Sequence, residues 1–340
     1  MTLIVKPLPL TLNTPFRIAH GTSFERHNVL VQIGDGLGEG APNLHYGYTQ
    51  AEALTYLQNI NLTDLVTDDP LALVDALDRI PAGPAPARAA VDMALHDQWA
   101  KKLGYPLYRL WGLNPQHTPL SSVTLSIPED KADLQQQLKA VAGWQILKIK
   151  LGTGDLDMDE DIVRMVHQES KAQLCVDANG AWSVDEAAQI IPRLVEYDLL
   201  FIEQPISAER LDAWPRLRRL LPADVPPLIA DESVQHPRDV TALAGVANGI
   251  NIKLSKVGGL RPAQQMIALA RTLGLQVLLG CMVESSLSIT AAAHLAPLVD
   301  YVDLDGHLNL SNDPFVGVNL ERGKVTLPQD PGLGVIRRLS

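Results

Sequence analysis

Gln145-Ile-Leu-Lys-Ile-Lys150 decides how this chain is read. It is a short apolar run with two lysines two positions apart, and in a strand residues two apart share a face. Lys148 and Lys150 therefore project one way and Ile149 the other. Runs of the same kind recur on both sides of it, at 120–127, 173–177, 199–203, 227–231, 249–253, 275–281 and 300–303. Stretches of helical periodicity separate them. Ser183-Val-Asp-Glu186 is a capping box. Ile162, Met165 and Val166 share one apolar face. Pro262 opens a helix near its first position and Gly274 closes it. Eight strands joined by helical crossovers imply a parallel sheet, and eight units are enough to close a (β/α)8-type barrel.

Upstream of this region the pattern differs. Residues 1 to about 45 read as β structure, with Asn28-Val-Leu-Val-Gln-Ile33 a β-rich run and Gly34-Asp-Gly-Leu-Gly38 turn chemistry. The glycines do not form a dinucleotide loop, because the third glycine of that motif would fall on Glu39. Val91, Ala94, Leu95 and Trp99 predict a helix over about 87–103, stopped by Gly104-Tyr-Pro106. Residues 310–340 read as loop and strand, with Lys324-Val-Thr-Leu327 the strand, and are expected to return to the N-terminal part. The domain division is thus 1–117, 118–309 and 310–340.

Composition narrows the function. The 340 residues carry 28 Lys and Arg against 39 Asp and Glu, a net charge of −11. Nucleic acid and anionic membrane both need a basic footprint, so neither is an expected partner. Small molecules and divalent cations remain. Cys175 and Cys281 cannot build a disulfide framework and read as inert buried thiols. No signal peptide and no run of 18 apolar residues is found, so the expected location is the cytoplasm.

In such a barrel the chemistry sits at the carboxyl ends of the strands. Successive runs end in Lys150, Asp177, Glu203, Asp231, Lys253, Glu284 and Asp303-Leu-Asp305. Asp177, Glu203 and Asp231 would converge, and three anions held out of bulk water repel unless a cation joins them. All-oxygen ligation with room for water suits Mg²⁺ best and Mn²⁺ second. The plainer alternative is that each acid caps the helix after it. Lys253 lies four strands on from Lys150, so two amines face each other across the mouth, as a proton taken from one face of a carbon and returned to the other would require. Asp303 and Asp305 share a face opposite the metal and form either a seat for an ammonium group or a solvated turn before Gly306.

The set Lys148-Ile-Lys150, Val176-Asp177-Ala-Asn179, Ile202-Glu203-Gln-Pro205, Ala230-Asp231-Glu-Ser233 and Asn251-Ile-Lys253-Leu-Ser-Lys-Val-Gly-Gly259 resembles the muconate-lactonizing-enzyme subgroup of the enolase superfamily. Gly104-Tyr-Pro-Leu-Tyr-Arg-Leu-Trp-Gly112 resembles the end of that family's capping domain. The resemblance implies a modified TIM barrel, (β/α)7β, under an α+β capping domain built from both termini. It implies Mg²⁺ on Asp177, Glu203 and Asp231, with Lys150 and Lys253 as the acid/base pair and Lys148 stabilising an enolate. Lysine at the sixth strand departs from the mandelate-racemase pattern, which uses a histidine on a later strand. Asp303-Leu-Asp305-Gly is similar to the dipeptide epimerases, where the pair binds the α-ammonium of a dipeptide, and it implies 1,1-proton transfer at the C-terminal residue. N-acylamino-acid racemases and o-succinylbenzoate synthases are the alternative, and their substrates lack that ammonium. Residues 16–26 match the family's mobile loop; Ser23 stands where members acting on Ala-Glu carry arginine. Glu284 is a further candidate substrate contact, the alternative being a structural acid. Family members imply a homo-oligomer.

Overall fold

The first hairpin of the chain sets the cap. In the computed structural model, which describes residues 3–61, 69 and 72–338, β1 (Leu3–Ile18), β2 (Gly21–Ile33) and β3 (Gly36–Gly40) form an antiparallel sheet in chain order. Residues 1–2, 62–68, 70–71 and 339–340, which the sequence reading gives to the cap and the returning segment, lie outside the described residues. Helices α1 (Gln50–Asn59), α2 (Leu73–Asp78), α3 (Ala85–Leu103) and α4 (Leu107–Leu110) follow. The cap core joins Val29, Val31 and Ile33 to Leu57, Val91 and Ala94.

The glycines read as a turn divide in two. Gly34 makes the turn, with φ +57°. Gly36, Gly38 and Gly40 instead lie in β3, two apart and so on one face, and that face rests on the backbone of α3. A Cβ on them would come within 2.1 Å of Ala94 O, 1.9 Å of Ala90 O and 2.0 Å of Pro86 O. Helix and strand can approach this closely only because three side chains are missing.

All eight predicted strands are present. The order is β4 (Val123–Leu125), α5 (Lys131–Ala140), β5 (Ile146–Lys150), α6 (Leu156–Glu169), β6 (Gln173–Asp177), α7 (Val184–Arg193), β7 (Ile202–Glu203), α8 (Trp214–Leu220), β8 (Leu228–Ala230), α9 (Pro237–Leu243), β9 (Gly249–Ile252), α10 (Leu254–Val257), α11 (Leu260–Thr272), β10 (Gln276–Leu279), α12 (Ser286–Ala293) and β11 (Tyr301–Val302). Each strand pairs in parallel with the next. The ring closes where Ser121 bridges to Val302 and Ser122 N donates to Val302 O at 2.9 Å. The architecture is the (β/α)7β barrel under an α+β cap. Its main core lies between strands and helices, where Leu147 and Ile149 pack. A small inner core of Cys175, Phe201, Ile229 and Leu278 fills the barrel itself. The Ser183–Glu186 capping box forms as read.

The last segment carries β12 (Phe315–Val316), β13 (Asn319–Glu321), β14 (Lys324–Thr326) and β15 (Ile336–Arg337). It straps both parts of the molecule. Leu107 N donates to Gly332 O at 2.9 Å and Leu333 N to Asp97 Oδ1 at 2.8 Å in the cap. Val318 N donates to Thr290 Oγ1 at 2.8 Å in the barrel. No helix of the described residues is long and apolar enough to cross a membrane.

Gly38→Ala drives a methyl group into the α3 backbone and should cost about 1–3 kcal/mol. The expected readout is a lower urea midpoint with the m-value unchanged.

Candidate active site

Strand register brings the charged residues together. Lys150 pairs with Asp177 across β5 and β6, and Asp177 with Glu203 across β6 and β7. Glu203 pairs with Ile229 on β8, and Asp231 follows two residues later on the same face. All three carboxylates are fully buried. Four ammonium groups reach them. Lys150 Nζ lies 2.6 Å from Asp177 Oδ2. Lys148 Nζ lies 2.7 Å from Glu203 Oε2 and 3.3 Å from Asp177 Oδ2. Lys253 Nζ lies 2.5 Å from Asp231 Oδ2. Lys256 Nζ lies 2.6 Å from Asp231 Oδ1 and also donates to the carbonyls of Asp231 and Asn251, at 2.6 and 2.8 Å.

These cations are shared unevenly. Burial pushes the Asp231 carboxyl up, but Lys253 and Lys256 outweigh it and hold the group well below the usual carboxylate range. Glu203 has one lysine. Burial and Asp177 push it up to about 8 against the pull of Lys148. Burial lowers Lys148 and Lys253, yet their carboxylate partners hold both well above an ordinary lysine. Lys148 also lies off the hydrogen-bonding direction of Glu203 Oε2, which has no hydrogen bond.

Among the described residues no three His, Cys, Asp or Glu side chains stand close enough to hold an ion. Each carboxylate is drawn instead to an ammonium group. The donor set nonetheless fits Mg²⁺: three buried carboxylates at adjacent strand ends, all oxygen, with Glu203 poorly compensated and one of its oxygens in an ion pair but without a hydrogen bond.

The carboxylate pair after β11 is nearer this cluster than the sequence reading placed it. Because β11 closes on β4, Asp303 lies only two strands from β5. Lys148 Nζ reaches Asp303 Oδ2 at 2.7 Å, and Ser122 Oγ donates to Oδ1 at 2.7 Å. Asp305 Oδ2 accepts from Thr124 N at 2.6 Å, and burial together with Asp303 pushes this carboxyl up to about 6. Lys148, Lys150, Lys253, Asp303, Asp305 and Ser23 line one cavity of about 1210 Å³ between cap and barrel.

Two residues lie elsewhere than read. Glu284 is not on that lining. It is buried in the seam between cap and barrel, where Ser255 and Ser288 donate to Oε1 at 2.7 and 2.9 Å and Met282 N donates to Oε2 at 3.1 Å. Cys281 falls beyond the end of β10, half-buried on the cavity wall, whereas Cys175 is fully buried as expected.

The sequence reading gave no role to several residues of the site. Asn251 Nδ2 donates to Glu203 Oε1 at 2.7 Å. Gln204 Oε1 accepts from Asp231 N at 2.8 Å and ties β7 to β8. Lys256 holds Asp231 from below. Their signal was a polar side chain inside an apolar run, as in Gly249-Ile-Asn-Ile252.

Two family descriptions match the chain: mandelate racemase / muconate lactonizing enzyme, N-terminal domain, over residues 1–112, and enolase C-terminal domain-like over 132–337. An L-Ala-D/L-Glu epimerase of Bacteroides thetaiotaomicron is 38% identical, over 99% of this chain and 88% of that protein. An L-Lys-D/L-Arg epimerase of Methylococcus capsulatus is also 38% identical, over 96% of this chain and 95% of that protein. The crystal structure of a dipeptide epimerase from Methylococcus capsulatus complexed with Mg and L-Arg-D-Lys superposes with a TM-score of 0.87 at 35% identity, covering 98% of this chain and 99% of that one.

A carboxyl group raised from 4.5 to about 8 on folding binds more protons in the native than in the unfolded state between those values. The metal-free protein should therefore lose stability as pH rises from about 5 to 8. Thermal denaturation across that range checks the slope. Glu203→Gln should flatten it, and Mg²⁺ added at pH 8 should raise the melting temperature of the wild type only.

Proposed function

The chain belongs to the mandelate racemase/muconate lactonizing enzyme family, and from that premise we propose that it is a Mg²⁺-dependent dipeptide epimerase, inverting the α-carbon of the C-terminal residue. One observation supports this over the N-acyl alternative. Asp303 and Asp305 line the same cavity as Lys150 and Lys253, and an N-acyl group offers such a carboxylate pair no cation.

In this reading the substrate carboxylate faces Asp177, Glu203 and Asp231, while its ammonium group reaches Asp303 and Asp305. Bound by the three carboxylates, Mg²⁺ would supply Lewis-acid stabilisation of negative charge on the substrate carboxylate. Lys150 and Lys253 stand four strands apart in an eight-stranded ring, on opposite sides of the α-carbon. One takes the α-proton as an amine, and the other delivers a proton to the opposite face as an ammonium group. Lys148, held between Glu203 and Asp303, keeps a positive charge beside the oxygens on which the enolate charge develops.

The side chain at the second position is not set by overall likeness. Three relatives at 38% identity are named for glutamate at that position, for arginine, and for hydrophobic dipeptides.

Deuterium incorporation from D₂O into L,L-dipeptides, run beside N-succinyl amino acids with Mg²⁺, tests the reading by mass spectrometry. Exchange and inversion in dipeptides are expected; exchange confined to the N-succinyl set would sink the ammonium role of Asp303 and Asp305. Lys150→Ala and Lys253→Ala should each lower epimerisation by at least about 10²–10⁴-fold.

The ammonium seat also predicts a pH limb. Asp305 is charged only above about 6, so kcat/KM for a dipeptide should fall as pH drops from 7 to 5. Asp305→Asn should lose that limb.

A further inference from the structure

Asn179 joins Lys150 to the cap. It adopts φ +46°, the left-handed region that asparagine tolerates better than most residues. Its Oδ1 accepts from Lys150 Nζ at 3.2 Å, and its Nδ2 donates to Glu232 Oε1 at 3.0 Å. Its N donates to Asp177 Oδ1 at 2.8 Å, and its carbonyl oxygen lies 2.7 Å from His20 Nε2. The partners fix every orientation. An ammonium group only donates and a carboxylate only accepts, so the amide has one assignment. A carbonyl only accepts, so Nε2 of His20 carries the hydrogen.

His20 sits in the turn between β1 and β2 and stacks on His45, with ring centroids 4.4 Å apart. His45 Nε2 in turn lies 3.5 Å from the Glu232 oxygen that Asn179 holds. His20, Asn179, Glu232 and His45 thus close a ring of contacts. It links two cap segments to the loops after β6 and β8, and all four residues line the cavity. Lys150 bonds to a member of this ring. Lys253 bonds to Asp231 and shares no hydrogen bond with the ring.

We propose that His20 is a positioning residue for Lys150: by holding the Asn179 peptide it sets Oδ1 as a second acceptor, which keeps the Lys150 amine at the cavity rather than wholly on Asp177. Through His20 the cap acts on the Lys150 face; it reaches the other face separately, where Tyr46 Oη donates at 3.4 Å to Asp231 Oδ2, the oxygen paired with Lys253. This rests on the two-lysine reading of the reaction, and it gives the turn between β1 and β2 a catalytic consequence separate from closing the pocket.

The test separates the faces. A dipeptide accepted by the wild type is incubated in D₂O as each of its two epimers, and α-deuterium is read before inversion accumulates. Lys150→Ala identifies the epimer that Lys150 deprotonates, because exchange in the other persists through Lys253. His20→Ala should lower exchange in the Lys150 epimer about 10–100-fold and in the other by less than about threefold. His20→Gln, which restores an N–H donor, should recover most of the loss. If His20→Ala does not fold, His20→Phe keeps an aromatic ring against His45 while removing the donor to the Asn179 carbonyl, and carries the same asymmetric expectation. An equal fall in both epimers, no fall in either, or a glutamine variant no better than alanine overturns the proposal. A wild type that exchanges no dipeptide overturns the underlying reaction instead.

Discussion

Charge held out of water is the constraint on which the rest of this structure depends. Counting Asp303, four carboxylates are ion-paired with four lysines at the mouth of the barrel, and none of these buried charges can be left without a partner. The barrel makes this possible because parallel strands deliver their carboxyl ends to one level. The cap matters because it covers that level, leaving a cavity of about 1210 Å³ between the two. Pairing throughout does not mean balance at each atom. Asp231 has two lysines and Glu203 one, so one carboxylate is pinned in its charged form while its neighbour resists ionisation. A site built this way already has the asymmetry that acid/base chemistry needs, before any ligand arrives.

The same economy of polar groups marks the seam where cap meets barrel. Glu39 on β3 is fully buried, accepts from Asn28 and Ser285, and is pushed up to about 7 by burial and by Glu284 across the seam. Glu284 is in turn satisfied by Ser255, only two residues from Lys253. The hydrogen bonds of Glu284 to Ser255, Ser288 and Met282 make it part of the joint between cap and barrel.

Much of this was legible in the chain because period-two patterning and one charged residue per βα unit report directly on which side chains share the mouth. Lys148, Lys150, Asp177, Glu203, Asp231 and Lys253 could be found that way, and the strand ends moved by only a few residues. What escaped depended on where side chains meet in three dimensions. Asp303 was expected across the barrel from the carboxylates, and β11 does stand four strands from β7, but Lys148 reaches both Glu203 and Asp303 and joins them in one cluster. Lys256 and Asn251 stood in a stretch quoted for its family likeness but had no role, since the bonds of Lys256 to backbone carbonyls and of Asn251 to Glu203 leave no trace in sequence spacing. The β3 glycines were read by their conformational freedom, when their function is to have no side chain where α3 presses on them. His20 and Asn179 meet across 159 residues, and nothing in either neighbourhood announces the other.

The strap formed by the last segment has a consequence for how the protein is made. The amide of Leu107 and the carboxylate of Asp97 both complete their bonding with residues 332–333, near the end of the chain. The cap is translated first, yet these bonds wait until nearly all of the barrel has left the ribosome. Until then the nascent cap presents polar groups of α3 and α4 to solvent or to chaperones, and its final tightening waits for residues 332–333. A chain cut between residues 305 and 332 would therefore hold every charged residue of the barrel mouth and a cap left unfinished.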